Sequence, residues 1–411
     1  MKLIFILTMI VASCFNHIAE GQSLIELIQI AKDNNLELKI LENEYLTALE
    51  KAPQVSQLSD PDLGIGTFPL PVETRLGSQI LRLSATQMFP WFGTLDSKKE
   101  LELIKARSLL ERTSARKLNL EYEVKQAYYQ LYKIEQSQLI LKRNIRILEA
   151  LKRIALSKVE SGNASAADVI RVQLKLEEMM EELDILDTSR RFPTVEINQI
   201  LNRALDQEVK TLDSLSFAQN PKLNQTLALD SLVNHPMLRM FEIQQEISKH
   251  SISLNEMDSK PTFGVGMDYI MVDARNDAIP DGNGKDILQL RASIKIPIYK
   301  KKYGAKEREE NLKILGLDYQ KADAISKFKT IIEKAIASYE TAEKKINLYN
   351  KQIQLTESAI RILKTSYSTS GHGFDELLRL ENELINYDMK ILDAIVQSHI
   401  SKSSIERFIT G

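Results

Sequence analysis

Two short charged patterns combine residue types that could hold helices together. Asp168 is followed three positions later by Arg171, and Glu376 is followed at the same spacing by Arg379, so the two pairs are 208 residues apart. A carboxylate and a guanidinium three residues apart lie on one face of a helix. We expect these four side chains to form ion pairs between helices. The alternative is solvated surface pairs, which contribute less than about 1 kcal/mol each.

The residues that usually carry out catalysis or bind metals form no recognisable site. The single cysteine, Cys14, excludes a disulfide framework and a Cys-based zinc site. We find no phosphate-binding glycine loop, nucleophile elbow or pair of catalytic carboxylates. None of the five histidines has a His-Glu-x-x-His or other metal-ligand spacing; they are His17, His235, His250, His372 and His399. The sequence therefore predicts a protein that is not an enzyme, with no cofactor and no metal site.

The composition excludes one class of partner and indicates the main type of secondary structure. The 411 residues include 54 Lys plus Arg and 56 Asp plus Glu, a net charge of −2, which argues against nucleic acid as a partner. Glycine (15) and proline (11) are sparse, as in a chain made largely of long helices.

The first 21 residues predict export from the cytoplasm. Lys2 precedes a ten-residue apolar stretch that is too short to cross a bilayer. Residues 19–21 (AEG) fit a cleavage site, which makes 1–21 a signal peptide. Residues 11–14 (VASC) also resemble a lipobox, in which Cys14 would be lipidated, so both kinds of processing stay open.

An internal repeat organises the rest of the chain. Residues 61–66 (PDLGIG) recur as 261–266 (PTFGVG), and the offset grows from 200 to 207 across a turn-rich stretch at 273–285. We place the first repeat at 22–205, a linker at 206–225 and the second repeat at 226–411. Each repeat is predicted as helix, strand, loop, strand, long helix, tip, helix. In the first, the predicted elements are 24–58, 62–68, 79–90, 94–160 and 164–190. In the second they are 226–259, 262–272, 286–298, 304–369 and 374–409.

Both long helices carry the same heptad-like seam. Steps of four and three residues from Leu120 meet apolar residues at ten of twelve positions, and the second copy, 208 residues later, does so at eleven of twelve. The first copy is Leu120, Val124, Ala127, Leu131, Ile134, Gln138, Leu141, Ile145, Leu148, Lys152, Ala155 and Val159. A seam of this length predicts long coiled-coil helices.

The strands alternate between apolar and polar residues over a length that suits a tilted bilayer-spanning strand. A soluble sheet with one wet face fits the alternation equally well. Four strands cannot close a barrel, so if they span a membrane several chains must share them. Arg82, Arg291 and Lys295 would then face a wet lumen. Aromatic residues near the strand ends would suit interface girdles; they are Phe68, Phe89, Trp91, Phe92, Tyr269 and Tyr299.

With these features in place, the chain resembles the TolC family of outer-membrane efflux proteins. The resemblance runs from about residue 24 to the end. It is carried by the duplicated unit, by Asp60-Pro61-x-Leu63-Gly64, by residues 87–93 (QMFPWFG), and by the tip stretches at 162–169 and 366–378. Within the family the heavy-metal efflux branch looks nearest, judged by residues 87–93 and by a hairpin loop at 71–75 (PVETR).

The resemblance implies a fold that is mainly α with β. Three chains would form a shared transmembrane β-barrel of twelve strands, continued by a periplasmic α-barrel of long coiled-coil helices. It implies a homotrimer in outer-membrane lipid, coupled to a periplasmic adaptor protein and an inner-membrane pump, and passively conducting exported substrates. It also implies a gate at the tip, where a family aspartate falls on Glu376 and an arginine on His372. A further family aspartate falls on Arg379, which departs from the pattern.

Two other functions stay open from the sequence. A periplasmic adaptor is also exported and also has a helical hairpin, but it should show one hairpin beside a continuous β-rich region. An exported coiled-coil scaffold without a pore would need no detergent for purification.

Overall fold

The computed structural model describes residues 23–219, 232–370 and 373–408. The N-terminal segment 1–21, with Cys14, lies outside them, as do His372 and residues 220–225 of the linker. The helices are α1 Leu24–Asn34, α2 Leu36–Leu49, α3 Lys51–Val55, α4 Thr94–Glu160, α5 Ala166–Ser189, α6 Arg191–Ile200, α7 Pro236–Asp258, α8 Lys301–Ser370 and α9 Phe374–Glu406. The strands are β1 Asp62–Thr74, β2 Gly77–Phe89, β3 Thr262–Asp273 and β4 Ile287–Lys295.

The long helices match their predicted positions because their seams are covered. In each copy of the seam seven of the twelve side chains are buried, and none of the remaining five is exposed. α4 has the bounds predicted for it, and α8 begins three residues earlier and ends one residue later than predicted. Burial of one apolar stripe along each helix thus explains why α4 and α8 continue without a break for 67 and 70 residues.

The single helix predicted over 24–58 is wrong, because the chain breaks at Asn35 and again near Glu50. Asn35 has an extended backbone, and its side-chain oxygen accepts hydrogen bonds from the Glu37 and Leu38 amides at 3.1 and 3.2 Å. Its side-chain amide donates to the Ile200 carbonyl at 3.0 Å. An asparagine that caps the next helix ends the first one.

The four strands form one antiparallel sheet in the order β1-β2-β3-β4. The two hairpins, one from each repeat, join where β2 pairs with β3 from Ser78↔Asp273 to Phe89↔Phe263. The sequence analysis treats each hairpin within its own repeat, whereas the structure joins the two hairpins into one sheet. The outer edges of β1 and β4 have no neighbouring strand among the described residues.

β1 continues to Thr74, beyond its predicted end at residue 68 and through Pro69 and Pro71. The pairing with β2 is interrupted between Thr67 and Val72, where the prolines lie. Proline has no N–H for the ladder and is tolerated on an edge strand or in a bulge, and β1 provides both. Residues 71–74 therefore belong to the strand and not to the predicted hairpin loop.

The two hairpin turns differ in length, as the shift in repeat offset predicts. β1 and β2 are joined through residues 75–76, whereas residues 274–286 join β3 and β4. The short turn needs glycine at position 77, where φ is +137° and a Cβ would collide with the Asp273 backbone oxygen. The insertion is thus confined to a loop.

The chain divides into two compact units, and each unit draws on both repeats. The tip unit contains the described residues of Met1–Lys39, Ser114–His235 and Ile325–Gly411. The sheet unit contains Ile40–Thr113 and Pro236–Ala324. Within the described residues, no helix has the length and apolar character needed to cross a membrane.

Candidate functional site

The apolar face of the sheet is the exposed face. Paired rows cross all four strands, such as Leu63–Ala85–Met267–Leu290. Leu63 and Leu290 are each more than three-quarters exposed, and Met267 in the centre is 48% exposed. A soluble sheet buries this face against a core and leaves the polar face in water. In β3 the arrangement is the reverse, because Val265, Met267 and Tyr269 are exposed while Gly264, Gly266 and Asp268 are buried. β4 is exposed on both faces.

The polar face contains the three basic residues predicted for a lumen. Arg82 lies in β2, with its guanidinium 5.9 Å from the centroid of the Phe68 ring. In β4, Arg291 donates to the Thr86 hydroxyl at 2.9 Å, and Lys295 ends the strand opposite Thr262. All three lie on the face opposite Leu290 and its row, because successive strand residues alternate.

Asp268, which no sequence pattern singled out, is buried on this polar face in β3. Its side chain is 3% exposed and lies 3.8 Å from the Arg291 guanidinium. The available signal was its place in the alternation beside Gly264 and Gly266. In β3 the polar face is therefore the covered one, with Gly264, Gly266 and Asp268 buried.

Aromatic side chains gather at the end of the sheet nearest the helices. Trp91 stacks on Phe263 with ring centroids 6.0 Å apart, and Phe92 lies 6.3 Å from the same ring. Phe92 is 80% exposed. This cluster contains two of the six predicted girdle residues, together with Phe263, which was not predicted.

The tip is formed by the turn from α4 to α5 and by the start of α9. Gly162 adopts φ +76° and lets the chain reverse after α4. The Ser165 hydroxyl then caps α5 by accepting from the Ala167 amide at 3.2 Å. Beneath the turn, Tyr367 and Phe374 are buried with ring centroids 4.9 Å apart. These packed rings fix where the charged tip residues emerge.

The prediction places Asp168 and Arg171 in ion pairs between helices, but they pair with each other within α5, and the link to another helix uses a different residue. Arg171 lies 3.5 Å from Asp168 in the same helix and 3.4 Å from Asp375 in α9. Asp168 is buried in the first turn of α5, where the helix dipole favours a negative charge. Asp375 was missed because nothing local in the sequence connects it to Arg171.

Glu376 and Arg379 also pair, and both partners are in α9. Their charged groups are 2.6 Å apart, and Arg379 contacts Glu383 one turn further on. The hydrogen bond from Arg379 lowers the pKa of Glu376. Both groups are exposed, so the pair links successive turns of one helix. His372 is not among the described residues.

The Tyr367 hydroxyl is buried at the tip, near the charge of Asp168. Burial raises the pKa of Tyr367, and the charge of nearby Asp168 adds to the increase. The hydroxyl is buried and has no hydrogen-bond partner among the described residues. Nearby, the Lys158 ammonium donates to the Ser368 carbonyl at 2.6 Å and joins α4 to α8. The tip is therefore tied together by both packing and charge.

The fold matches that of solved outer-membrane channels. No protein-family model and no curated protein sequence matches the chain. Among solved structures, CusC, described as forming a transmembrane channel, matches 97% of this chain and 96% of its own at 14% identity and a TM-score of 0.77. The chain has the fold of the TolC-family outer-membrane channels. The resemblance inferred from the sequence is thus confirmed for the fold.

Two further TolC-fold channels match over similar lengths. The open state of MtrE, the outer-membrane channel of Neisseria gonorrhoeae, matches 95% of this chain and 89% of its own at 16% identity, with a TM-score of 0.74. VceC, an outer-membrane protein of Vibrio cholerae, matches 94% and 96% at 12% identity, with a TM-score of 0.73. Nearly the whole TolC fold is therefore represented in this chain, from the sheet to the helical tip.

Proposed function

We propose that this protein is the outer-membrane channel of a tripartite efflux or secretion system. It conducts substrates passively from an inner-membrane pump and a periplasmic adaptor to the outside. The observation that carries the proposal is the exposed apolar face of the sheet. Its leucine and methionine rows suit contact with lipid, and the opposite face, with Arg82, Asp268 and Arg291, suits a water-filled lumen.

The open strand edges support an assembly of several copies. Unpaired N–H and C=O groups in lipid cost several kcal/mol each, so β1 and β4 need partners there. Joining β4 of one chain to β1 of the next closes a barrel with twelve strands if three chains take part. The chain would then be a homotrimer, as in the family it resembles.

The tip supports a closed state held by charge. Arg171 connects α5 to α9 through Asp375. Glu376 and Arg379 lie exposed at the start of the same helix. We place the gate at these residues together with Asp168 and His372. Their replacement should loosen the closed tip without affecting the sheet.

The two rival functions fit less well. An adaptor should have one helical hairpin beside a continuous β-rich region. The described parts of this chain form two helical hairpins and one sheet of four strands. A pore-free scaffold gives no physical reason to expose the apolar rows of the sheet to water. The proposal includes transport by the heavy-metal branch and export through the N-terminal signal, with cleavage after Gly21 and lipidation at Cys14 as alternative processing steps.

Cross-linking between copies tests the channel assembly directly. A single chain with Leu63→Cys in β1 and Leu290→Cys in β4 places one thiol near each open edge. A short bis-maleimide should yield bands that stop at the trimer, because a closed ring has no free edge. The control, Ser338→Cys with Leu290→Cys, should give no trimer. A ladder that continues past the trimer, or monomer alone, would contradict the ring. Cys14→Ser is included so that the engineered thiols are the ones labelled.

Conductance tests whether the assembly has a pore. The purified protein, added to a planar bilayer, should give discrete current steps. Protein that forms the cross-linked ring but gives no current would support a scaffold over a channel.

A further inference from the structure

A basic recess lies where the sheet meets the helices in the second repeat. It has a volume of about 760 Å³ and is lined by the end of α7, the end of β4 and the first turns of α8. Lysines 295, 302 and 306 line it together with Asp258. The backbone around it is ordered by hydrogen bonds, including one from the Asn255 side chain to the Tyr303 carbonyl at 2.9 Å.

Two of these lysines are available to a ligand. Lys306 is already paired with Glu310 at 2.8 Å and Glu309 at 3.2 Å. Lys295 and Lys302 are exposed, and the described residues place no carboxylate within ion-pair distance of either. The Lys302 ammonium lies 4.7 Å from the centroid of the Tyr303 ring, which holds it beside the recess.

The rim of the recess is apolar and exposed. Ile296 is 59% exposed, Ile298 69% and Tyr299 79%. The surrounding stretch, residues 295–303 (KIPIYKKKY), has four lysines and no acidic residue. Aliphatic side chains next to cations and tyrosines are typical of a segment at the boundary between acyl chains and headgroups.

The other end of the sheet has the opposite charge. Residues 273–286, around the longer hairpin loop, contain four aspartates against Arg275 and Lys285. The β3–β4 hairpin is thus basic where it meets α8 and acidic at its loop. An anionic lipid would be attracted to the first and repelled from the second.

We propose that the recess binds the phosphate headgroup of an anionic phospholipid, with Lys295 and Lys302 on the phosphate and Ile296 and Ile298 against the acyl chains. The proposal rests on the proposed function, since it requires the sheet to lie in a bilayer. The lipid would belong to the leaflet on the helical side, and it would fix the depth of the sheet in the membrane.

Trp91, the only tryptophan, is placed to report on this site. It stacks on Phe263, which pairs with Ile294 next to Lys295. The full-length protein is reconstituted in phosphatidylcholine vesicles that contain increasing fractions of brominated phosphatidylglycerol or brominated phosphatidylcholine. Bromine quenches tryptophan only at short range. The wild type should reach half-maximal quenching at a lower fraction of the anionic lipid than of the zwitterionic one.

The variant K295Q/K302Q should need about tenfold more phosphatidylglycerol for the same quenching, since each lysine near an anionic surface contributes a several-fold preference. K295R/K302R keeps the charge and should retain the preference, which separates loss of binding from misfolding. K329Q/K351Q removes two exposed lysines further along α8 and should match the wild type. K300Q/K301Q, which alters lysines outside the recess lining, should lose less than K295Q/K302Q.

The outcomes separate the two proposals. Equal quenching of the wild type by both lipids would overturn the lipid site and leave the membrane-inserted sheet intact. Equal losses in K295Q/K302Q and K300Q/K301Q would also overturn it, because the attraction would then be a diffuse surface effect. No quenching by either lipid would instead overturn the insertion of the sheet, and with it the proposed function.

Discussion

Replacing Leu290 by lysine tests which solvent the apolar face of the sheet contacts. Leu290 is 78% exposed and pairs with Met267, the sixth of the twelve residues of β3, so it lies near the middle of the sheet. In water, an exposed leucine in a strand can be replaced by lysine at a cost within about 0.5 kcal/mol. In lipid, a lysine near the midplane costs about 2–4 kcal/mol.

Gln289→Lys is the matched control. Gln289 is the preceding residue of the same strand, on the polar face, and it pairs with the buried Asp268. A lysine there meets an opposite charge and a wet surface, so we expect no loss of stability. The two variants have the same new side chain, one residue apart, and differ only in the face that carries it.

Urea titration of the protein in phosphatidylcholine vesicles, followed by Trp91 fluorescence, measures the difference. The protein concentration is held fixed, because the stability of an oligomer depends on it. We expect Leu290→Lys to lower the free energy of unfolding by about 2–4 kcal/mol per chain, a factor of about 30 to 700 in the equilibrium constant. If Leu290→Lys is no more destabilising than Gln289→Lys, the face is not in lipid and the argument for the barrel fails.

Three further predictions concern the turn, the sheet-side helices and the tip. Gly77→Ala should destabilise the protein by about 1–3 kcal/mol in thermal unfolding, whereas Gly66→Ala, where a Cβ meets no atom within 4 Å, should cost less. Burial opposes ionisation of Glu310, but hydrogen bonds from two lysines and a serine outweigh it and lower its pKa to about 2. The stability contributed by its charge is therefore present above the unfolded value of 4.5 and is lost as the pH falls towards 2. Glu310→Gln should lose less stability than the wild type over that range. Equal losses would contradict the stabilising role of the charged Glu310 side chain. Arg171→Gln should raise the closed-state conductance in a planar bilayer several-fold, while Lys175→Gln, whose partner is in the same helix, should leave it unchanged.

The helices and the faces of the strands could be predicted from the sequence because both depend on local periodicity. The seam positions of α4 and α8 repeat at a spacing that identifies the buried stripe. In the same way, the alternation from Leu288 to Lys295 identifies which residues share a face. Such patterns report how neighbouring residues are placed, and the structure agrees with them throughout these elements.

The features that the sequence did not predict depend on distant partners. Pairing of β2 with β3 joins segments about 180 residues apart, and no local pattern reports it. The link from Arg171 to Asp375 also forms only after two hairpins come together. The break at Asn35 was missed for another reason, since a run of good helix formers hides the side-chain caps that interrupt it. The strand through Pro69 and Pro71 survives because it lies on an edge.

Pro69 and Pro71 also affect how readily the open edge of β1 pairs with strands of other molecules. An exposed strand is a ready template for any other extended segment, and fibrous aggregates grow from such templates. Pro69 and Pro71 have no amide hydrogen to offer, and Leu70 between them is 87% exposed. A strand from another molecule therefore cannot form an unbroken hydrogen-bonded ladder along the full length of β1. A chain with this feature is therefore less prone to aggregate through β1.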